Sequence, residues 1–130
     1  MQVFHNIHMI PIQGRDPKLG SNIFLVGDEI ELAVLDPGND FGYTVDTAVN
    51  TVLAYLGGLG NPRLKYIIVS HAHSDHSMGC VSLKKKTRAK IVAHTEEAKA
   101  LAKELKRRKI DITVEDGDLL EVGGVKLKVV

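Results

Sequence analysis

Apolar residues in the first half of the chain come in short unbroken stretches: Ile23-Phe24-Leu25-Val26, Leu32-Ala33-Val34-Leu35 and, further on, Tyr66-Ile67-Ile68-Val69. Stretches of this length between turn formers read as strands, and an unbroken rather than alternating pattern implies a sheet buried on both faces. Strands are predicted from Val3 to Ile12, from Asn22 to Val26 and from Glu31 to Leu35, separated by Gly14-Arg15-Asp16-Pro17 and Gly27-Asp28 and closed by Asp36-Pro37-Gly38. From Thr44 the spacing turns helical, with Val45, Ala48, Val49, Val52, Leu53 and Leu56 on one stripe and Gly57-Gly58 as the stop signal. Lys65 to Ser70 reads as a strand, about Asp75 to Lys86 as a short helix, and Ala89 to Ala93 as another strand. Thr95 is the predicted N-cap of a helix with Glu96 and Glu97 in its first turn and Lys106 to Lys109 in its last, both suited to the helix dipole. Ile112 to Val114 and Leu119 to Val130, turned at Gly123-Gly124, complete the chain as strands.

This order of elements predicts an α/β fold with helices on one face of a mixed sheet. Three helices make one layer. The opposite apolar face then needs a second sheet that the sequence does not obviously contain, since an open face would exceed the few hundred Å² (roughly) usual for a monomer. Gly and Pro are scattered rather than gathered into a linker, and there is no internal repeat, so residues 1–130 read as one unit.

A chain of 130 residues can bury a core without staples, and its single cysteine, Cys80, has no partner within it. No run of about 18 apolar residues exists that could cross a bilayer. The start Met1-Gln2-Val3-Phe4-His5 lacks the pattern of a secretory signal, which predicts a cytoplasmic protein. With 17 basic against 16 acidic residues, the net charge of +1 gives no long-range field to gather phosphate backbones. Lys84-Lys85-Lys86 and Lys106 to Lys109 could in principle serve nucleic acid, but a solvated helix end is the favoured reading of the second run.

Chemistry concentrates in Ser70-His71-Ala72-His73-Ser74-Asp75-His76, three of the chain's six histidines and a carboxylate directly after a buried strand. His71 and His73, two apart in an extended exit, point the same way and can share one ion. Asp75 and His76 follow where the chain turns toward a helix, so they can diverge to a second ion about 3.5 to 4 Å away. Imidazoles with one carboxylate suit zinc first, with manganese or iron as substitutes. Taken singly, Asp75 could be a helix N-cap, His71 and His73 ordinary loop residues, and Ser70 a turn former. As a set they point to metal, because a helix start has no use for three imidazoles.

The motif resembles the HxHxDH signature of the metallo-β-lactamase superfamily, which includes glyoxalase II-like thioesterases, lactonases and RNA-processing nucleases. Asn22 to Val26 with Ala33 to Gly38 looks like that family's opening strand pair. Ile91 to Glu97 looks like its segment after the motif helix, and Asp116-Gly117-Asp118 with Val122 to Leu127 is similar to its late hairpin. The resemblance implies half of an αββα sandwich. It makes His71 and His73 ligands of a first metal, and Asp75 and His76 ligands of a second, with Asp75 also assisting proton transfer to the leaving group. It also implies that Asp36 orients a ligand histidine, against the plain reading of Asp36 as part of an Asp-Pro-Gly turn.

The departures from the family are two. Met78 stands where the family often has glycine, and the later histidine loop and second ββα half, with a bridging aspartate and a last histidine, have no counterpart here. Two protein ligands per ion fall short of the three usual at a catalytic zinc. His94 is the best candidate within the chain to fill the gap; His5 and His8 are expected on opposite faces, and Cys80 is expected to be a buried small side chain. A complete site would use metal-activated water on an ester, thioester, lactone or phosphodiester. Completion would come from a C-terminal half, a partner chain or a homodimer. The competing expectation is a non-catalytic half-domain serving as an assembly module with a vestigial site.

Overall fold

The computed structural model describes residues 2–4, 6–11, 22–38, 45–70, 79–105 and 110–130. Nine strands and three helices follow in the order β1 (Gln2–Phe4), β2 (Ile7–Pro11), β3 (Asn22–Gly27), β4 (Glu31–Leu35), α1 (Val45–Gly58), β5 (Arg63–Val69), α2 (Cys80–Thr87), β6 (Lys90–His94), α3 (Thr95–Glu104), β7 (Ile112–Val114), β8 (Leu119–Val122) and β9 (Val125–Lys128) among the described residues. Strands β1 to β7 form one sheet in sequence order, and β8 and β9 pair as a separate two-stranded sheet. The first three pairings, β1 to β4, are antiparallel, and the next three, β4 to β7, are parallel. Each parallel step carries a helix or long crossover between its strands, as such a connection requires.

One boundary differs from the sequence expectation in kind. The single strand predicted from Val3 to Ile12 is a hairpin, because the chain turns at Asn6, a residue whose short side chain favours turns. Gln2 then pairs with His8 and Phe4 with Ile7. The Asn6 carbonyl is used by the Gly27 amide at 3.1 Å, so the turn is tied to the end of β3.

The main core lies between the sheet and the helices. Ile23, Leu25, Leu32, Val34, Ile67 and Ile91 supply the sheet side, and Val49, Val52, Leu83 and Leu101 the helix side, all of them buried. Leu64 and Ile67 both belong to this face although they are three apart, which strict alternation forbids. A register slip resolves it: Leu32 pairs with Leu64 but Ala33 with Tyr66, so Lys65 is an extra residue in β5.

The opposite face is where the second sheet was expected and not found in the sequence. The β8–β9 hairpin provides its beginning: Leu120 packs with Val92 and Val114 in a smaller cluster, flanked by the half-buried Tyr66, Ile68 and Leu127. Coverage is partial, since Phe24 and Leu35 also stay half-buried while the residues beside them on the helix face are buried.

The hairpin is held in place by polar contacts at its tip. The Gly124 amide donates to Asp28 Oδ2 at 3.1 Å and the Gly123 amide to Glu31 Oε1 at 3.0 Å. Lys65 Nζ donates to the Glu121 carbonyl at 2.9 Å and lies 3.5 Å from Glu31 Oε1. The extra residue of β5 therefore ties the two sheets together.

Candidate metal-site edge

Because β4, β5, β6 and β7 run parallel, their carboxyl ends share one edge of the sheet, the edge at which open α/β sheets place their sites. Three residues are delivered there by strand ends: Asp36 after β4, Ser70 after β5, and His94 at the end of β6. His71, His73, Asp75 and His76 themselves lie outside the described residues. Among the described residues no group of three His, Cys, Asp or Glu side chains converges to hold a metal ion, so no alternative site competes with the motif there.

Asp36 is the best-defined member of this edge. Its amide donates to the Ile68 carbonyl at 2.9 Å, extending the β4–β5 ladder by one residue. Its carboxylate then reaches Ser70 twice: the Ser70 amide donates to Oδ1 at 2.7 Å and the Ser70 hydroxyl to Oδ2 at 2.7 Å. The geometry needs φ of 53° at Asp36, a left-handed value that aspartate tolerates better than most side chains. The Asp36 amide thus continues a ladder while its side chain grips the residue immediately before His71, a role that the plain Asp-Pro-Gly turn reading does not contain. Sequence reasoning passed over Ser70 as a turn former; its adjacency to His71 was the available signal.

His94 is not placed to fill the ligand deficit. Its ring caps α3, with Nδ1 accepting the Glu96 amide at 3.1 Å, and its Nε2 lies 3.0 Å from Asp116 Oδ1. An accepting Nδ1 leaves the proton on Nε2, which donates to the carboxylate, so both nitrogens are engaged. This also moves the cap: His94, not Thr95, is the N-cap, and Thr95 is the first helical residue. An imidazole with a free lone pair can do what a hydroxyl usually does at this position.

Cys80 is fully buried at the start of α2. Burial, reinforced by the negative charge of Asp36, pushes its thiol up to about 12. It stays a neutral thiol at physiological pH, as expected of a packing residue rather than a thiolate ligand.

His8 faces the helices from β2, its Nδ1 2.7 Å from the Tyr55 hydroxyl. Burial, and then the positive N-terminus, lower its pKa. It belongs to the packing between β2 and α1, far along the sheet from β5.

A family model described as the metallo-beta-lactamase superfamily matches residues 16–130. The chain belongs to this superfamily. It is 35% identical over 109 residues to a hydroxyacylglutathione hydrolase of Ectopseudomonas mendocina, an alignment covering 82% of this chain and 36% of that protein. A hydroxyacylglutathione hydrolase of Rhodopseudomonas palustris is 40% identical over 68 residues, covering 52% of this chain and 24% of that protein. Among solved structures, a Cronobacter sakazakii metallo-beta-lactamase superposes with a TM-score of 0.75 at 21% identity, covering 98% of this chain and 52% of that one. A subclass B3 metallo-beta-lactamase of Bradyrhizobium japonicum gives 0.72 at 21% identity, covering 98% of this chain and 49% of that one. The mixed sheet with helices on one face is therefore the superfamily's fold, and the chain spans about half the length of these solved neighbours. Both curated relatives carry the name of a hydrolase, and this chain spans only about a quarter to a third of their length. No helix among the described residues is long and apolar enough to cross a membrane.

Proposed function

We propose that this chain is the metal-binding, N-terminal half of a zinc-dependent hydrolase domain. The observation that carries the reading is the end of β5 at the carboxyl edge of the parallel strands, where Ser70, gripped by Asp36, opens the Ser-His-Ala-His-Ser-Asp-His run of the sequence. In this proposal His71 and His73 hold one ion and Asp75 and His76 a second. The donor set, three imidazoles and a carboxylate, fits zinc, and manganese or iron are the substitutes to test. Bound zinc supplies Lewis acidity toward a carbonyl or phosphoryl oxygen and makes water nucleophilic near neutral pH. Asp75 would also assist proton transfer to the leaving group, its carboxylate first taking up the proton released by the attacking water. Further ligands come from the rest of a longer domain, a partner chain or a second copy. The half-buried Phe24, Leu35 and Ile68 on the second sheet face support such a completion.

The names of the curated relatives make acylglutathione thioesters the first substrates to try, followed by lactones, other esters and phosphodiesters. A cytoplasmic setting is part of the proposal. Zinc content of the purified chain, measured by atomic absorption after dialysis, tests the ligand assignment: the chain should retain metal, and His71→Ala with His73→Ala should lose it. Stoichiometry unchanged by that double substitution would remove the assignment. Zinc retained without turnover on any of the four substrate classes would favour the second reading, an assembly module whose half-covered sheet face serves a partner.

A further inference from the structure

At the amino edge of the parallel strands lies a cavity of about 380 Å³, walled by the β1–β2 hairpin, the β3–β4 turn and the connection from α1 to β5. We infer that this cavity is a second binding site, for a small organic cation: an ammonium group carried on an apolar body. The five residues of β4 put about 16 Å between this edge and the one where Asp36 meets Ser70, so the inference is independent of the metal-ligand assignment proposed above.

The walls are bonded to one another or closed on themselves before any ligand arrives. The Asn6 carbonyl accepts the Gly27 amide at 3.1 Å, the Ile30 carbonyl accepts the Arg63 amide at 2.9 Å, and the Leu56 carbonyl accepts the Asn61 amide at 2.9 Å. The β3–β4 turn is closed from within by Asp28 Oδ1 and held from the β8–β9 hairpin by the Gly124 amide on Oδ2. A ligand entering here has few groups to order, and that ordering is what is subtracted from affinity. The volume falls within the range of about 300 to 1,000 Å³ common for small-molecule sites.

The lining sets the ligand's chemistry. Ile30 is 77% and Leu59 37% exposed, two of four large apolar side chains left exposed among the described residues, and both line this cavity. Scattered singly, such residues mean little; brought together on one cavity they offer an apolar body a place to bury itself. The charged side chains of the lining are Asp28 and Glu29, with no lysine or arginine among the described residues there. Asp28 is ionised at neutral pH, since the amides of Glu31, Ile30 and Gly124 hold its carboxyl below the usual value. The N-terminal ammonium, whose field reaches His8, is one charge against two, and Arg63 lies 3.8 Å from Glu31, which answers its charge. Burial lowers the pKa of His8 and keeps its ring neutral, so it does not repel a cation. Its Nδ1 is taken up by Tyr55, a residue outside the lining, at 2.7 Å. With the proton on Nδ1, Nε2 can accept from an ammonium.

The probe is 2-phenylethylamine, titrated into the full chain and followed by the backbone amide shifts in nitrogen-15 correlated NMR spectra. Its counterpart is 3-phenylpropionate, which has a similar apolar body and the opposite charge. Saturable shifts are expected at Asn6, Gly27, Ile30 and Leu59, with a Kd of about millimolar for a ligand of this size. The anion should not saturate these amides, and the amine should bind more weakly as salt is raised. Glu29→Gln should weaken the amine by about 2- to 5-fold, the effect of one solvent-screened charge. Ile30→Lys, which sets a cation on the rim, should weaken it by about 10-fold or more. Both side chains are exposed, so neither replacement disturbs the core, and amides away from the cavity should keep their wild-type positions. Equal binding of the two probes, amine shifts no larger at these amides than across the surface, or an amine affinity unchanged by Ile30→Lys would overturn the inference. No metal enters this readout, so His71→Ala with His73→Ala should leave amine binding intact whatever it does to zinc.

Discussion

Asp28 precedes β4 and Asp36 follows it, and both carboxylates accept backbone amides, yet they serve opposite edges of the sheet. Asp28 Oδ1 takes the amides of Ile30 and Glu31, two and three residues on, and its Oδ2 takes Gly124. It closes its own turn and pins the β8–β9 hairpin. Asp36 instead spends both oxygens on a residue 34 positions away, at the mouth of the histidine cluster. The same chemical device pins a hairpin at the amino edge and joins the ends of β4 and β5 at the carboxyl edge. The hydrogen bonds from Glu31, Ile30 and Gly124 hold the Asp28 carboxyl below its usual value, and the Gly123 amide does the same for Glu31.

The sharpest way to break this comparison is steric. Gly27, before Asp28, has φ of 148°, and a Cβ there would lie 2.2 Å from the Glu31 carbonyl oxygen. Gly27→Ala adds backbone strain to overpacking and should cost about 3 kcal/mol or more in urea unfolding. Gly79→Ala carries the overpacking alone, since a Cβ there would lie 1.9 Å from the Pro37 carbonyl oxygen, and should cost about 1 to 3 kcal/mol.

A smaller effect is expected at Asp111. Its Oδ2 accepts the Ile91 amide at 2.8 Å and bonds Lys84 Nζ, joining α2 to β6 and the start of β7. Partial burial works against its charge, but Lys84 and the Ile91 amide outweigh it and leave the pKa lowered. A carboxylate depressed in the folded state stabilises fully above its unfolded value near about 4 and loses that contribution as pH falls through its folded value. Asp28 and Glu31 share that sign. The melting temperature should therefore fall from about pH 5 toward pH 3, and Asp111→Ala should flatten part of that slope. It should lower stability at neutral pH by about 1 to 2 kcal/mol, for the unpaired Ile91 amide.

The smallest effect belongs to the Arg63–Glu31 pair. At 3.8 Å with Arg63 74% exposed, solvent screens it, and Arg63→Ala should shift stability by less than about 0.5 kcal/mol in the same unfolding assay. Asp28→Asn completes the comparison: it should lower the melting temperature while leaving zinc affinity at the wild-type value. A loss of zinc affinity there would erase the distinction between the two edges.

Much of this was legible in the chain. Unbroken apolar stretches located β3, β4 and β5 almost to the residue, because both sheet faces are lined with side chains and each stretch ends at a turn former. The stripe from Val45 to Leu56 located α1 for the corresponding reason. The first hairpin was missed because its two strands are short and its turn rests on one asparagine rather than on a Gly or Pro signal. The α3 cap was misread because histidine is seldom a cap, and its role depends on where Glu96 and Asp116 lie. The partial second sheet was missed although the strands of β8 and β9 were predicted, because only their packing on Val92 and Val114 reveals which face they cover.

By itself the sequence determined most of the elements and the class of fold, and it nominated a candidate ligand set, since these follow from local periodicity and from which side chains can donate to a metal. The tertiary structure decided that Asp36 meets Ser70 and that Pro37 meets Gly79. Asp36, Ser70 and Gly79 are far apart or unremarked along the chain, and their contact exists only because β4 and β5 run parallel and end together. Hydrogen bonds and steric limits between distant residues are set by that register, which no local pattern encodes.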